Sequence, residues 1–338
     1  MIARLQNILV AMVILTICGL VCACKSGEER YVSVEGEALG TFVQVKCKTS
    51  DSADNIGDLI VNIDTEAKQS MSIFDSTSLI SRINQNLADS LDLHIERNLK
   101  VAGDMYELSG GSYDVTVKPL TDAWGFGGRD AEAVEPNVDS LLSFVGFDRL
   151  TIRDNRLIKD DSRMQIDLNS LAKGYTVDMV ADALAERGVE NYLVNIGGEV
   201  RCAGLNPNGE LWSVAIETPY DGNMAMDSFE KIIRATDCAV ATSGNYRRFY
   251  LTADGRKVAH TISPITGYSV VSDLLSVTIM APTCIEADAA ATMFMAMGSE
   301  GGALELAQRC ESEHGWLYYF IYADGEDYRI ECSEKFKE

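Results

Sequence analysis

The sequence predicts an α+β fold, in one large unit or two fused lobes. Segments with strand character are grouped together instead of alternating regularly with helices, so the βαβ repeat of parallel sheets is absent. The chain has 338 residues but only six prolines and no low-complexity stretch, which leaves little room for linkers between independent domains. Hydrophobic residues make up 46% of the chain and charged residues 24%, so a substantial core can form.

Hydrophobic spacing predicts the helices and strands along the chain. Apolar residues at helical spacing predict helices at residues 55–70, 95–108, 170–187, 285–297 and 300–310. Segments bounded by Gly, Asn or Pro and rich in β-branched or aromatic residues predict strands at residues 31–47 (a pair broken at 38–40), 150–158, 163–168, 191–196, 211–217, 231–235, 247–251, 274–281 and 316–322. Glycines end the second and third helices, at 110–111 and at Gly188, and a polar insert is expected near residues 127–139.

The first 23 residues have the layout of a bacterial lipoprotein signal peptide. A polar start with Arg4 precedes an apolar run over residues 8–21, which is shorter than the roughly 20 residues that a spanning helix needs. Ala23 precedes Cys24, as in the lipid-modification signal of such proteins. We therefore expect residues 1–23 to be removed, Cys24 to carry the lipid and residues 24–34 to form a tether, so that the protein is anchored to the membrane without spanning it.

Charge and cysteine usage exclude some classes of function. The formal net charge is −22 and no cluster of Lys and Arg is interleaved with aromatic residues, so nucleic-acid binding is not expected. Six cysteines follow position 24, none of them in a C-x-x-C pair, and the three histidines are widely separated, so a zinc site has no support. These cysteines are expected to be buried thiols or to form one or two disulfides, and their pairing stays open.

Asp288 and Thr292 form the strongest local signal for a metal site. They lie four residues apart in a helix of small side chains and therefore share one face. Hard cations such as Mg²⁺ prefer oxygen ligands and keep open positions for phosphate and water, which an Asp, a Thr and a nearby carbonyl could supply. Taken alone, this spacing is more often explained by an Asp that interacts with the helix dipole and a Thr that packs.

Residues 165–175 predict a second part of such a site, where a strand runs into a helix. Asp167 and Ser170 either cap that helix or, with the free backbone groups there, face a pyrophosphate and its metal ion. Lys173 and Asp178 are consistent with solvated positions on the helix.

A rival interpretation of the same residues is an acylating serine enzyme. Ser170 and Lys173 match S-x-x-K, and Ser243 with Asn245 matches S-x-N, two of the three signatures of penicillin-recognising proteins. The third signature fails, because residues 265–267 lack the lysine of K-T-G and follow S-x-N too closely. The acylating serine is therefore the weaker hypothesis.

Two further features are weak when taken alone. The glycine pairs at 110–111 and 197–198 allow a close backbone approach or a turn with positive φ, but no Walker or G-x-G-x-x-G pattern accompanies them. His260 lies where a strand runs into a turn. A single histidine is more often structural, yet it is the side chain best suited to move protons near neutral pH.

Together these segments resemble the FAD:protein FMN transferases, also called the ApbE or flavin-transferase family. The resemblance runs in order from about Ala38 to Tyr322 and comprises blocks at residues 39–41, 71–75, 113–120, 124–127, 167–175, 195–199, 241–246, 260–267 and 287–292. It implies a compact, two-lobed catalytic unit over residues 35–330, with mixed, largely antiparallel sheets and flanking helices.

The resemblance also implies which residues bind ligands. Mg²⁺ would be held by Asp288, Thr292 and the position of Ser170, there through the backbone carbonyl. FAD, the substrate, would be contacted by Leu39, Phe74, Ser112, Tyr113, Asp114, Asp167, Lys173 and Ile262. The sequence departs from residues common in the family at Leu39, Phe74 and Ser263.

The implied reaction transfers the FMN half of FAD to a protein. A Ser or Thr hydroxyl of the acceptor would attack the FMN phosphorus and AMP would leave, with Asp288 and its Mg²⁺ and the proton carrier His260 as the catalytic groups. Family members modify subunits of the Nqr and Rnf respiratory complexes. A lipid anchor that includes palmitate is therefore expected to hold this enzyme on the periplasmic side of the inner membrane, near such subunits. The alternatives are a Mg²⁺-dependent pyrophosphatase that hydrolyses FAD to FMN and AMP, and a flavin-binding lipoprotein without catalysis.

Overall fold

The structure, a computed structural model, describes residues 29–127, 136–219, 229–245, 249–252, 255, 257–325 and 327–337. The strands in these ranges are β1 (Arg30–Ala38), β2 (Thr41–Thr49), β3 (Leu150–Arg153), β4 (Arg156–Lys159), β5 (Tyr192–Ile196), β6 (Glu199–Ala203), β7 (Trp212–Glu217), β8 (Phe229–Ala235), β9 (Cys238–Gly244), β10 (Phe249–Leu251), β11 (Lys257–Ala259), β12 (Leu274–Ala281), β13 (Leu317–Asp324) and β14 (Asp327–Cys332).

The α-helices of the described residues lie mostly between these strands. They are α1 (Ala53–Met71), α2 (Leu79–Asn84), α3 (Leu93–Leu108), α4 (Lys118–Ala123), α5 (Val138–Leu142), α6 (Ala172–Glu186), α7 (Cys284–Met297) and α8 (Ala303–His314). Ser52, Ser78 and Asp92 begin the first three helices, because each side chain accepts a hydrogen bond from a backbone amide of the first turn. Within the described ranges, no helix combines the length and the apolar character that crossing a bilayer requires.

Eight strands form the main sheet, in the order β1-β2-β5-β6-β9-β12-β13-β14, and every neighbouring pair is antiparallel. The remaining described strands form three separate antiparallel pairs, β3–β4, β7–β8 and β10–β11. The predicted α+β class with largely antiparallel sheets is therefore confirmed. The sheet order also brings β6 and β9 side by side, although the β7–β8 pair separates them in sequence.

Helices cover one face of the main sheet and bury the larger core. Helix α7 packs on β9 and β12, and α6 packs on α7 and β5. The three alanines at 289–291 are fully buried, and their small side chains let α7 lie close against the sheet. The β7–β8 pair covers the opposite face with a smaller core that includes Trp212 and Ile216. A third cluster contains Trp124 and Ile262, next to α4, α5 and β11.

The structure differs from the sequence prediction in two predicted strands. Residues 163–168 are not a strand, because the Asn84 side chain bonds both the amide and the carbonyl of Ile166 at 2.8 Å, where a neighbouring strand would otherwise bond. Residues 150–158 form the β3–β4 hairpin instead of one strand. The chain turns there because Asp154 and Asn155 have φ of 51° and 59°.

Other differences concern elements that the spacing does not predict. Strands β6, β9 and β14 are absent from the prediction, and β9 reads as a run of mostly small residues with little strand character. The predicted strand at 247–251 is found as β10, while residues 246–248 lie outside the described ranges. Most of the polar insert, at 128–135, also lies outside them.

Candidate active site

Asp288 lies in the first half of α7 and is held by the start of α6. Its Oδ2 accepts a hydrogen bond of 2.9 Å from the Gly174 amide. Gly174 lies in the first turn of α6, where backbone amides have no acceptor within the helix, so the Asp288 carboxylate satisfies one of these amides. Ser170 precedes α6, and its carbonyl lies outside the hydrogen-bond pattern of that helix. A larger residue does not fit at 174, because a Cβ there would lie 2.3 Å from the Cys284 carbonyl oxygen. The two helices therefore meet in direct contact at this point.

A cluster of charges surrounds Asp288. The Lys173 ammonium forms an ion pair with Glu199 and lies 3.7 Å from Asp288 Oδ1. Burial raises the pKa of Asp288, an effect that Lys173 opposes and Glu199 reinforces. Burial alone would lower the pKa of Lys173, but the two carboxylates raise it above its ordinary value. Lys173 is therefore an ammonium ion at neutral pH, which disfavours a role as the general base of an S-x-x-K serine.

Glu199 belongs to this site, although it is not among the site residues predicted from the sequence. It is 4% exposed, and Oε1 pairs with Lys173, whereas Oε2 is buried with no hydrogen-bond partner among the described residues. A buried carboxylate oxygen without a donor is unfavourable, so a bound cation or hydrogen-bond donor would stabilise it. The signal that could have identified Glu199 is the Gly-Gly pair before it, which makes the tight β5–β6 turn with positive φ at Gly197 and Gly198.

Asp178 fixes the position of α7 from within α6. Its carboxylate accepts hydrogen bonds of 2.9 Å from the amides of Cys284 and Ile285, and so caps the N-terminus of α7. Arg201 of β6 donates to the same carboxylate at 2.8 Å. The expectation of a solvated Asp178 is therefore wrong. This side chain is buried and helps to place Asp288.

The turn after α3 brings Tyr113 to the start of α6. The Tyr113 hydroxyl and Ser170 Oγ are 2.7 Å apart. Burial raises the pKa of Tyr113, the bond to Ser170 opposes this, and the carboxylates of Asp288 and Asp167 raise it further. Tyr113 therefore stays protonated. The hydrogen bond to Ser170 and the influence of both carboxylates indicate that Tyr113, the 167–170 segment and Asp288, which are far apart in sequence, share one region.

The other two residues of the predicted FAD-binding turn have different environments. Asp114 is buried, and its carboxylate is used within the protein: Oδ1 accepts from the amide and hydroxyl of Thr116, and Oδ2 accepts from the Phe147 amide. Ser112 is half-buried. The Asp114 carboxylate therefore shapes the turn, which leaves contact with a ligand to its neighbours and to the backbone.

The oxygen atoms near Asp288 fit a hard cation such as Mg²⁺. Thr292 shares the Asp288 face of α7, and its hydroxyl is 3.1 Å from Ser243 Oγ. The carbonyl of Ser170, just before α6, and the unpartnered Oε2 of Glu199 add two more oxygens. The described residues hold no group of three or more His, Cys, Asp or Glu side chains that could bind a metal ion. The donors here are mainly hydroxyl and carbonyl oxygens with one or two carboxylates, a set that leaves positions for phosphate and water.

His260 is supplied by an element other than α6, α7 and β6, which carry the charge cluster. It follows β11, and its ring contacts the Phe126 ring edge to face, with 6.3 Å between centroids. The next residue, Thr261, donates a hydrogen bond of 2.6 Å to Asn245 Oδ1. Asn245 directly follows β9 and is two residues after Ser243, whose hydroxyl contacts Thr292. The Thr261–Asn245 bond therefore connects the His260 segment to the end of β9 that lies next to Thr292.

Three predicted FAD contacts are hydrophobic side chains. Leu39 has a φ of 51° in the turn between β1 and β2, and its amide donates to Asp64 at 2.7 Å. Phe74 follows α1 and is 68% exposed, whereas Ile262 is buried beside Trp124. Because the Phe74 ring is exposed, it can stack on a flavin without disturbing the packing of the core. Ile262 is suited instead to a contact through its backbone.

Comparison with known proteins identifies relatives over most of the chain. The model of the ApbE family matches residues 39–315. The FAD:protein FMN transferase of Vibrio cholerae is 36% identical over 307 residues, which are 88% of this chain and 90% of that protein. The FAD:protein FMN transferase of Haemophilus influenzae is 33% identical over 331 residues, which are 93% of each chain.

Solved structures show the same similarity. Flavin transferase ApbE from Vibrio cholerae matches with a TM-score of 0.81 and 32% identity, over 91% of this chain and 99% of that chain. The apo form of the Pseudomonas stutzeri flavinyl transferase ApbE matches with a TM-score of 0.80 and 28% identity, over 91% and 96% of the two chains. The family match at 39–315 contains every predicted site residue except Cys24, which lies outside the described residues.

Proposed function

Because the chain belongs to the ApbE family, we propose that this transferase cleaves FAD and moves its FMN half to a Ser or Thr hydroxyl of a partner protein. The observation that carries the proposal is the charge cluster of Lys173 in α6, Glu199 at the start of β6 and Asp288 in α7. Fixed charges beside the start of a helix suit a pyrophosphate and its metal ion.

Asp288, Thr292 and the Ser170 carbonyl are the proposed ligands of Mg²⁺. When bound, Mg²⁺ would neutralise the pyrophosphate and the charge that develops on the leaving phosphate. The Gly174 amide orients the Asp288 carboxylate, so this ligand needs no rearrangement to bind a cation. Lys173 is proposed to contact a phosphate oxygen, because its ammonium stays charged and is partly exposed.

Proton transfer and substrate binding involve the other proposed residues. The acceptor hydroxyl loses a proton as it attacks the FMN phosphorus, and we assign His260 to accept that proton. AMP is the proposed leaving group. The 112–114 turn with its protonated Tyr113, together with Asp167, Leu39, Phe74 and Ile262, is proposed to bind FAD.

The transfer is tested by measuring the mass of an acceptor protein. Purified enzyme is incubated with FAD, Mg²⁺ and a periplasmic subunit of an Nqr-type or Rnf-type complex. The acceptor is expected to gain one FMN group while an equal amount of AMP appears, and an acceptor with its target Ser or Thr changed to Ala is the control. An unchanged acceptor with release of FMN and AMP would identify an FAD pyrophosphatase. FAD binding without turnover would identify a non-catalytic flavin-binding lipoprotein.

We further propose that residues 1–23 are a signal peptide and that Cys24 carries a lipid on the periplasmic side of the inner membrane. Residues 24–34 would tether the catalytic unit, residues 35–330, near membrane-bound acceptors and so raise their effective concentration. The described residues begin at residue 29. Mass spectrometry of the native N-terminal peptide is expected to find lipid-modified Cys24. An uncleaved Met1 terminus would contradict the anchor.

A further inference from the structure

Cys202 and Cys238 face each other in the interior of the main sheet. They are directly opposed on β6 and β9, which are adjacent antiparallel strands. Directly opposed residues of such a pair have Cα atoms about 4.5 or 5.5 Å apart. Disulfides usually join Cα atoms about 4.4–6.8 Å apart. The backbone therefore already holds the two cysteines at a separation that a disulfide can bridge.

The two side chains point to the same face of the sheet and contact each other. Both pack in the smaller core under the β7–β8 pair. The interaction of the two thiols raises the pKa of Cys202 and lowers that of Cys238. Cys238 is half-buried, whereas Cys202 is fully buried. Cys238 is therefore the more reactive thiol, because thiol exchange requires an accessible thiolate.

The other described cysteines have no comparable neighbour. Cys47 and Cys332 are opposed by residues other than cysteine on the strands beside them. Cys284 and Cys310 are buried on α7 and α8. Among the described cysteines, strand register thus brings together one pair.

We propose that Cys202 and Cys238 form a disulfide that joins β6 to β9. The Cys238 thiolate attacks a disulfide oxidant, such as glutathione disulfide, forming a mixed disulfide and releasing one thiol. The Cys202 thiol then loses its proton and displaces the second thiol, so two electrons and two protons pass to the oxidant. The bond ties the strand that begins at Glu199 to the strand that carries Ser243, and it closes a loop that contains the β7–β8 pair.

The bond is tested on the full chain in buffers of reduced and oxidised glutathione. Free thiols are alkylated, the protein is digested without reduction, and the peptides are weighed. In the oxidising buffer we expect a linked pair of peptides that contain Cys202 and Cys238, and the reducing buffer should separate them. Alkylation of both cysteines in the oxidising buffer, or a link to any other cysteine, would overturn the proposal.

Single variants test the order of attack. Cys202→Ser leaves the reactive thiol without its partner, so we expect it to accumulate glutathione on Cys238. Cys238→Ser should accumulate little glutathione on Cys202. Cys332→Ser, a half-buried strand cysteine of the same sheet, is the matched control and should keep the linked pair. Equal trapping by the first two variants would overturn the assigned order.

Thermal unfolding gives a second readout. Because the cross-link restricts the unfolded state of the 202–238 loop, adding a reductant is expected to lower Tm of the oxidised protein by about 5–10 °C. The doubly substituted Cys202→Ala, Cys238→Ala protein should show no such shift. An equal shift in both proteins would assign the effect to another bond. None of these measurements uses FAD or an acceptor, so their outcome is separate from that of the proposed function.

Discussion

The two regions that carry the proposed catalytic groups are built differently. Around Asp288, α6, α7 and β6 supply charges and an amide that partner one another across elements. His260 follows a three-residue strand and is positioned by the Phe126 ring and by the bond of its neighbour Thr261 to Asn245. The network around Asp288 fixes a charged ligand before substrate arrives, whereas His260 is a titratable side chain suited to a proton transfer. Because the Asp288 carboxylate serves both the metal ion and the ion-pair network, we expect changes there to have larger effects than the loss of one proton acceptor at His260.

The largest effect is expected for Asp288→Asn. The amide side chain can still accept the Gly174 hydrogen bond, so the fold should persist, but the loss of charge should reduce the transfer rate by about 10³-fold. Acceptor flavinylation over a range of Mg²⁺ concentrations measures this. Glu286→Gln on the same helix, where the carboxylate bonds Thr283 at 2.6 Å, is the matched control and should stay close to wild type. A wild-type rate for Asp288→Asn at limiting Mg²⁺ would place the metal elsewhere.

Asp178→Asn tests whether the network also holds the fold. It removes a buried charge that accepts two amides of α7 and pairs with Arg201, so the free energy of unfolding should fall by about 3 kcal/mol. Urea denaturation measures the change. Asp182→Asn is the control, because its exposed carboxylate bonds the same Arg201, and it should cost less than about 1 kcal/mol. Equal losses in the two variants would show that Asp178 does not anchor α7.

His260→Asn tests the second of the two regions. If His260 accepts the proton of the acceptor hydroxyl, the single-turnover transfer rate at saturating FAD and Mg²⁺ should fall by about 10²-fold while FAD affinity stays nearly unchanged. Weaker FAD binding with a normal rate at saturation would instead make His260 a binding residue. A rate within a few-fold of wild type, with normal FAD binding, would remove it from the mechanism.

The smallest effect is expected for the hydroxyl of Thr292. Thr292→Val keeps the shape but removes one neutral ligand, so the Mg²⁺ concentration for half-maximal rate should rise by about fivefold. Thr292→Ser retains the hydroxyl and should remain near wild type. Measuring both variants separates ligation from packing. If they shifted the Mg²⁺ requirement equally, Thr292 would only pack against Ser243 and β9.

Local sequence patterns were sufficient to predict elements, such as α6 and α7, whose bounds depend on residues close together in the chain. Helices α6 and α7 begin and end within two residues of the predicted 170–187 and 285–297, because apolar spacing and the positive φ of Gly188 act within a few residues. The four-residue spacing likewise put Asp288 and Thr292 on one helix face. The ordered sequence blocks also led to the family that the comparisons confirm.

The tertiary structure alone decided which of these elements meet. Glu199 reads as the end of a glycine turn, and it becomes a site residue because the β5–β6 turn delivers it to Lys173. Strand β9 has small residues and a weak local signal, yet the sheet order places it between β6 and β12 and brings Cys238 opposite Cys202. The physical reason is that alternation within a strand can indicate which face is buried, but it does not encode which strand lies beside it.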